Sequence, residues 1–244
     1  MGELIAVLSG KGGTGKTSIC AGIATALADS GATVLCVDCG IGLRNLDISL
    51  GMSEIGALSF LDVCQGGYSL DHATQHPLYP SLRFLTAPMN CAPERIDQDE
   101  FDAMVRNARD HFDYIFLDAP AGIDAGFRLA AQAADRVILV TAPDPAAVRD
   151  AGRVGELLEL MGKQAPRLIV NRVNKNLLHQ LEMTIDDIMD AAGLPLLGVV
   201  PDDQQVVLAA YFGTPLLRST HWGAAAACRR IAKRIQGMNV PVSL

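Results

Sequence analysis

The chain has 244 residues, a formal net charge of −7, 50% hydrophobic and 19% charged residues. That length and apolar content suit one α/β domain spanning 1–244. The acidic balance argues against a broad nucleic-acid footprint, so no nucleic-acid partner is expected.

In chain order, the first apolar run, "LIAVLS" at 4–9, reads as a strand buried on both faces. It is followed by "GKGGTGKT", a match to the phosphate-loop pattern G-x-x-x-x-G-K-[ST] between a strand and a helix. Gly10, Gly12, Gly13 and Gly15 let the backbone wrap an anion, with Lys11, Thr14 and Ser18 completing the loop region. The helix expected over 16–29 adds the partial positive charge of its N-terminus. Lys16 is placed to reach the outer phosphates of a nucleotide, and the Thr17 hydroxyl to ligate Mg²⁺.

The next strand, 33–38, ends in Asp38. Cys36 and Cys39 form a C-x-x-C, but residues three apart on a strand face opposite ways, so no metal is expected there. The other cysteines, Cys20, Cys64, Cys91 and Cys228, follow no framework, and no secretory leader is evident. They read as free thiols in a reducing, cytoplasmic setting.

Further strands are expected at 83–88, 114–119, 136–141, 167–172 and 196–201. Helices are expected at 97–111, 125–134, 144–161, 182–192, 203–211 and 221–236. Asp118 ends "YIFLD" and can hold the Mg²⁺ shell, with Asp38 joining through water. Asp144 and Asp150, near the start of a helix, suit capping. The five histidines share no metal spacing, and no apolar run approaches the roughly 20 residues of a membrane span. Strand–helix alternation throughout predicts an α/β fold: a doubly wound, mostly parallel sheet flanked by helices on both faces.

Lys11 is unexplained by this scheme, because Lys16 already serves the phosphates. In this, "KGGTGKT" resembles the deviant Walker A motif of the MinD/ParA ATPases. The resemblance implies ATP and Mg²⁺ as cofactors and a homodimer closed face to face around two ATP molecules. Lys11 would cross to the partner's nucleotide, and Lys11, Lys16, Asp38 and Asp118 would form the catalytic set. "IGLRNLD" (41–47), "DAPAGI" (118–123), "VRDAGR" (148–153) and "GVVPDD" (198–203) are similar to segments of the MinD branch or its flagellar-placement relative FlhG, rather than chromosome-partitioning ParA. The resemblance covers 3 to about 241. It implies switches at 40–47 and 118–126, and an adenine pocket with Asn171, Pro201 and Asp202. It makes Asp150 a dimer-facing position. Arg44, Asn45 and Asp47, which have no evident structural duty, are candidates for contact with a MinC- or MinE-like protein partner.

Two departures from the family pattern stand out. Where MinD has D-x-D, this chain reads Asp38-Cys39-Gly40. Loss of the carboxylate that orients water predicts slow hydrolysis, unless another group takes the role. The chain also stops at "GMNVPVSL", about where a linker to the family's basic membrane helix would begin. Membrane association is therefore not expected of this chain, although a trimmed helix would make it peripheral at the inner face of the membrane. Segment 221–236, with Arg229, Arg230, Lys233 and Arg234, reads instead as a terminal helix docked on the sheet with a solvated basic face. A nucleotide-locked scaffold and an iron–sulfur carrier are the other function classes. Cys91 and Cys228 do not fall in the C-x-x-C that would favour the carrier.

Overall fold

The computed structural model describes residues 1–42, 44–89, 91, 96–163 and 165–243. Among the described residues, eight strands form one sheet: β1 (Glu3–Leu8), β2 (Val34–Asp38), β3 (Thr74–Gln75), β4 (Leu82–Leu85), β5 (Tyr114–Asp118), β6 (Arg136–Thr141), β7 (Arg167–Val173) and β8 (Leu196–Pro201). Their order is β3-β4-β2-β5-β1-β6-β7-β8, and every pairing is parallel except β3 with β4. The uninterrupted apolar runs have the expected cause, since alternate side chains of each strand enter different cores. Leu4, Ala6 and Leu8 pack on one side of the sheet, and Ile5 and Val7 on the other. Cys36 and Cys39 divide in the same way.

The helices are α1 (Lys16–Asp29), α2 (Leu46–Leu50), α3 (Phe60–Cys64), α4 (Gln98–Ala108), α5 (Ala125–Ala133), α6 (Pro145–Leu160), α7 (Lys175–Gln180), α8 (Ile185–Ala192), α9 (Gln204–Tyr211), α10 (Leu216–Ser219) and α11 (Gly223–Ile235). Helices α1, α2, α10 and α11 cover one face, while α4, α5, α6 and α8 cover the other. The Asp97 side chain accepts from the Asp99 and Glu100 N–H groups and so starts α4. The expected helix at 182–192 begins later, because Thr184 and Asp187 form a capping box that sets its first turn. The short elements α2, α3, α7, α10 and β3 have too few residues for a hydrophobic period to emerge from the sequence.

Helix α11 is docked as expected, with Ile231 and Ile235 buried. Its basic face, expected to be solvated, is instead largely engaged. Arg234 donates to the carbonyls of Leu197, Val240 and Pro241 at 2.8, 2.8 and 2.6 Å. Arg230 donates to Ser243 O and Arg229 to Leu217 O. Among the described residues, no helix is long and apolar enough to cross a membrane.

Candidate functional site

A cleft of about 490 Å³ opens at the carboxyl ends of β1, β2 and β5. Ligands bind in open α/β sheets at such ends. The loop between β1 and α1 forms its floor. Gly13 and Gly15 hold φ of 81° and 83°, a left-handed region that costs glycine little. Gly10 has a different reason to be glycine, because a Cβ there would lie 2.7 Å from the Asp150 carbonyl oxygen of α6. The N-terminus of α1 has no side-chain cap and no acidic residue in its first turn. Its free amides, with those of the loop, give the cleft its donors.

Lys16 is buried, and its Nζ donates to Asp118 Oδ1 at 2.6 Å and Thr17 Oγ1 at 3.3 Å. Asp118 stands opposite Asp38 in the register of β5 and β2, so the carboxylate paired with Lys16 has a second buried carboxylate beside it. Both Asp38 oxygens are engaged by backbone. Oδ1 accepts from the Gly40 N–H at 2.8 Å, and Oδ2 from the Asn45 and Leu46 N–H groups at 3.3 Å each. Burial, and then the neighbouring Asp118, push its pKa up to about 6 against the pull of those three donors. Asp38 thus reaches the cleft as the anchor of the segment that follows β2.

That segment is fastened elsewhere too. The Gly42 N–H donates to Pro88 O, and Arg44 Nε donates to Ala87 O at 3.3 Å, a structural duty the sequence does not reveal. Leu43, inside the expected first switch, lies outside the described residues. Asp47 Oδ1 accepts from the Ile48 N–H. In the expected second switch, the Gly122 N–H donates to Ser9 O. Gly40 itself lines the cleft, with no carboxylate to offer.

Lys11 behaves differently from Lys16. It is exposed, and its Nζ reaches Asp144 Oδ1 at 3.1 Å, outside the residues lining the cleft. Asp144 also caps α6 through the Ala147 N–H, while Asp150 lies 4.0 Å from Arg153.

A second cavity of about 260 Å³ joins the first. Asn171, Pro201 and Asp202, the residues that the resemblance assigns to an adenine pocket, line it together with Arg172 and Asp203, which sequence reasoning missed. Asn171 Nδ2 donates to Thr14 O at 2.8 Å and so ties the second cavity to the glycine-rich loop. Asp203 caps α9 through the Gln205 N–H and holds the Ala224 N–H of α11. Its place before an apolar run was a readable N-cap signal, whereas Arg172 offered none.

These residues fit a nucleotide polyphosphate with a divalent cation. The buried ammonium of Lys16 rests on an internal carboxylate, the uncapped amides of α1 face the same space, and a polar-rimmed second cavity adjoins it. Among the described residues no His, Cys, Asp and Glu group has the arrangement of a protein-only metal site. The cysteines at 20, 36, 39 and 228 are buried, and burial raises the Cys228 thiol to about 12.

The model of the CobQ/CobB/MinD/ParA nucleotide binding domain matches residues 5–216. The septum site-determining protein MinD of Synechocystis is 38% identical over 244 residues, covering 99% of this chain and 92% of its own. The fold superposes on MinD in the MinC:MinD cell division protein complex of Aquifex aeolicus with a TM-score of 0.92 and 34% identity, over 99% and 98% of the two chains. Pyrococcus horikoshii MinD complexed with Mg-ADP is similar at a TM-score of 0.84 and 26% identity, over 96% of each chain.

Proposed function

The chain belongs to the MinD group of the CobQ/CobB/MinD/ParA nucleotide-binding family, and from that premise we propose that it is an ATP-dependent dimerising switch that recruits a protein partner in placing the division site. The observation that carries the reading is the division of labour between two lysines. Lys16 lies inside the cleft on Asp118, while Lys11 stands outside it on Asp144.

On this reading, Lys16 turns from Asp118 to the β- and γ-phosphates, and the loop and α1 amides donate to them. Asp118, once released, and the Thr17 hydroxyl hold Mg²⁺, with Asp38 behind them. The cation, when bound, neutralises charge that builds on the phosphates during hydrolysis. Lys11 leaves Asp144 and reaches the nucleotide of the second copy. The Lys11–Asp144 pair is about half exposed on each side, so exchanging it for a phosphate costs little. Asn171, Pro201 and Asp202 receive the base. Asp38 couples the cleft to residues 40–46, which supports that segment as the partner-binding surface. A cell-division partner is supported by the MinC:MinD complex among the similar structures.

Gel filtration with light scattering, in ATP and in ADP, tests the switch. Wild type is expected to be dimeric in Mg-ATP and monomeric in ADP, and Lys11→Ala monomeric in both. A wild-type chain that stays monomeric in saturating Mg-ATP would falsify the proposal.

Gly40 favours a slow cycle. Position 40 offers no carboxylate, and both Asp38 oxygens are tied to backbone N–H groups, so neither position presents a free carboxylate oxygen to orient water. Gly40→Asp is expected to raise steady-state turnover by about tenfold or more. An unchanged rate in the variant refutes this account of the chemistry and leaves the dimer untouched.

A further inference from the structure

Among the described residues, three that are not glycine adopt left-handed backbone: Ala165, Arg172 and Glu182. Ala165 and Glu182 lie outside the strands and helices, whereas Arg172, at φ 56°, lies within β7. The conformation is unfavourable for any residue with a Cβ, because that atom crowds the following carbonyl. It coincides with a break in pairing, where the β7–β8 register shifts between Val170 and Val173. A regular strand would send residues 171 and 172 to opposite faces. Here both side chains reach the same spot. The place a Cβ would occupy on Gly15 lies 2.3 Å from Asn171 Nδ2 and 3.9 Å from Arg172 Nε.

The distorted backbone therefore aims a guanidinium at the phosphate loop. Gly15, Ser18 and Arg172 line both cavities, and Arg172 alone of these carries a charge. Its side chain is exposed and makes no hydrogen bond or ion pair among the described residues. Asp203, in the same cavity, is occupied as a helix cap. A merely solvated arginine would not need a left-handed backbone, since a regular strand residue presents its side chain without strain. Strain maintained beside a site is a signature of function.

We propose that Arg172 is a further nucleotide ligand, whose guanidinium meets the α-phosphate where the phosphate cleft joins the base cavity. This rests on the nucleotide reading of the cleft. Lys16 and the α1 amides serve the outer phosphates. The seam is where the chain from phosphate to ribose must pass, and a planar cation with several donors suits a phosphate oxygen there.

The test is competition of ADP and of adenosine against a fluorescent ADP analogue, with Mg²⁺, for wild type, Arg172→Ala, Arg172→Lys and Arg172→Gly. Arg172→Ala is expected to bind ADP about tenfold more weakly, or about 1.4 kcal/mol, with adenosine unchanged. Arg172→Lys recovers part of the loss. Arg172→Gly loses ADP affinity as the alanine variant does, yet its ligand-free Tm exceeds that of the alanine variant by about 2–4 °C, because glycine accepts this φ freely. Wild-type ADP affinity in Arg172→Ala and Arg172→Gly overturns the proposal, as does an equal loss for adenosine, which would move the contact to the base. A glycine variant no more stable than the alanine one removes the strain argument. If wild type itself binds no ADP, the nucleotide reading fails rather than the role of Arg172.

Discussion

At the scale of single residues, the Lys16–Asp118 pair carries the largest local electrostatic stake. Both groups are nearly removed from water, and neither tolerates losing the other. Lys16→Met leaves Asp118 unpaired beside Asp38, and is expected to destabilise the ligand-free protein by about 3 kcal/mol. Lys16→Met with Asp118→Asn recovers most of that loss. Urea unfolding of the three proteins checks both statements, and equal stabilities for the single and double variants would contradict the pairing. Lys16 and Thr17 were legible in the sequence because loop, glycine spacing and helix start form one local pattern. Arg172 was not, because its orientation depends on a break in pairing with another strand. The clamp made by Asp38 was hidden for a related reason: its partners are backbone amides, which leave no mark on composition. Arg44 looked unemployed in the sequence, although its side chain holds a carbonyl 43 residues away.

At the scale of elements, the long strands and helices were readable because their burial imposes a period or an unbroken apolar run. The helix α2 was not, since five residues provide only one turn. Its persistence has a non-local cause at both ends. Asp38 accepts from its first N–H groups, and His76 Nε2 donates to Leu50 O at 2.8 Å. His76 Nδ1 in turn accepts from the Leu78 N–H at 3.0 Å, which requires a neutral ring. Burial holds its pKa below the usual 6.5, opposed by the Leu50 carbonyl and reinforced by the nearby Arg218. The ring packs against Tyr79, over which the Arg218 guanidinium lies. A folded-state pKa below the unfolded one means that the unfolded chain takes up the proton first. The contribution of His76 is therefore present above pH 6.5 and lost as pH falls through its folded value. The expected outcome is a wild-type stability curve that declines below pH 6.5 more steeply than that of His76→Gln, measured by denaturant unfolding across that range. Parallel curves would remove His76 as the cause.

At the scale of the whole molecule, one helix closes the structure over the sheet. Helix α11 seats on two glycines. A Cβ at Gly198 of β8 would lie 2.4 Å from Ile231 Cγ1, and one at Gly22 of α1 would lie 2.6 Å from Cys228 Sγ. Gly198→Ala is expected to cost about 1–3 kcal/mol by forcing α11 outward. A lowered melting temperature checks this, and an unchanged one would mean that the helix shifts freely. The sequence signalled an amphipathic basic helix here, but that pattern serves a docked helix and a membrane helix alike. What distinguishes them is the arginine-to-carbonyl bonding, which depends on how the chain folds back after Gly237. The position of the cleft at the carboxyl ends of strands was legible from the strand–helix alternation, whereas the strand order that sets its layout was not.

On the proposed switch reading, the internal pair in the cleft also bears on how the protein resets. A triphosphate bound as proposed would displace the carboxylate seated on Lys16, and on leaving would be replaced by that same carboxylate. Loading and emptying are thus exchanges of one anion for another, in which the ammonium is never stranded. In the proposed switch, such a resident competitor would weaken retention of spent nucleotide and shorten its dwell time.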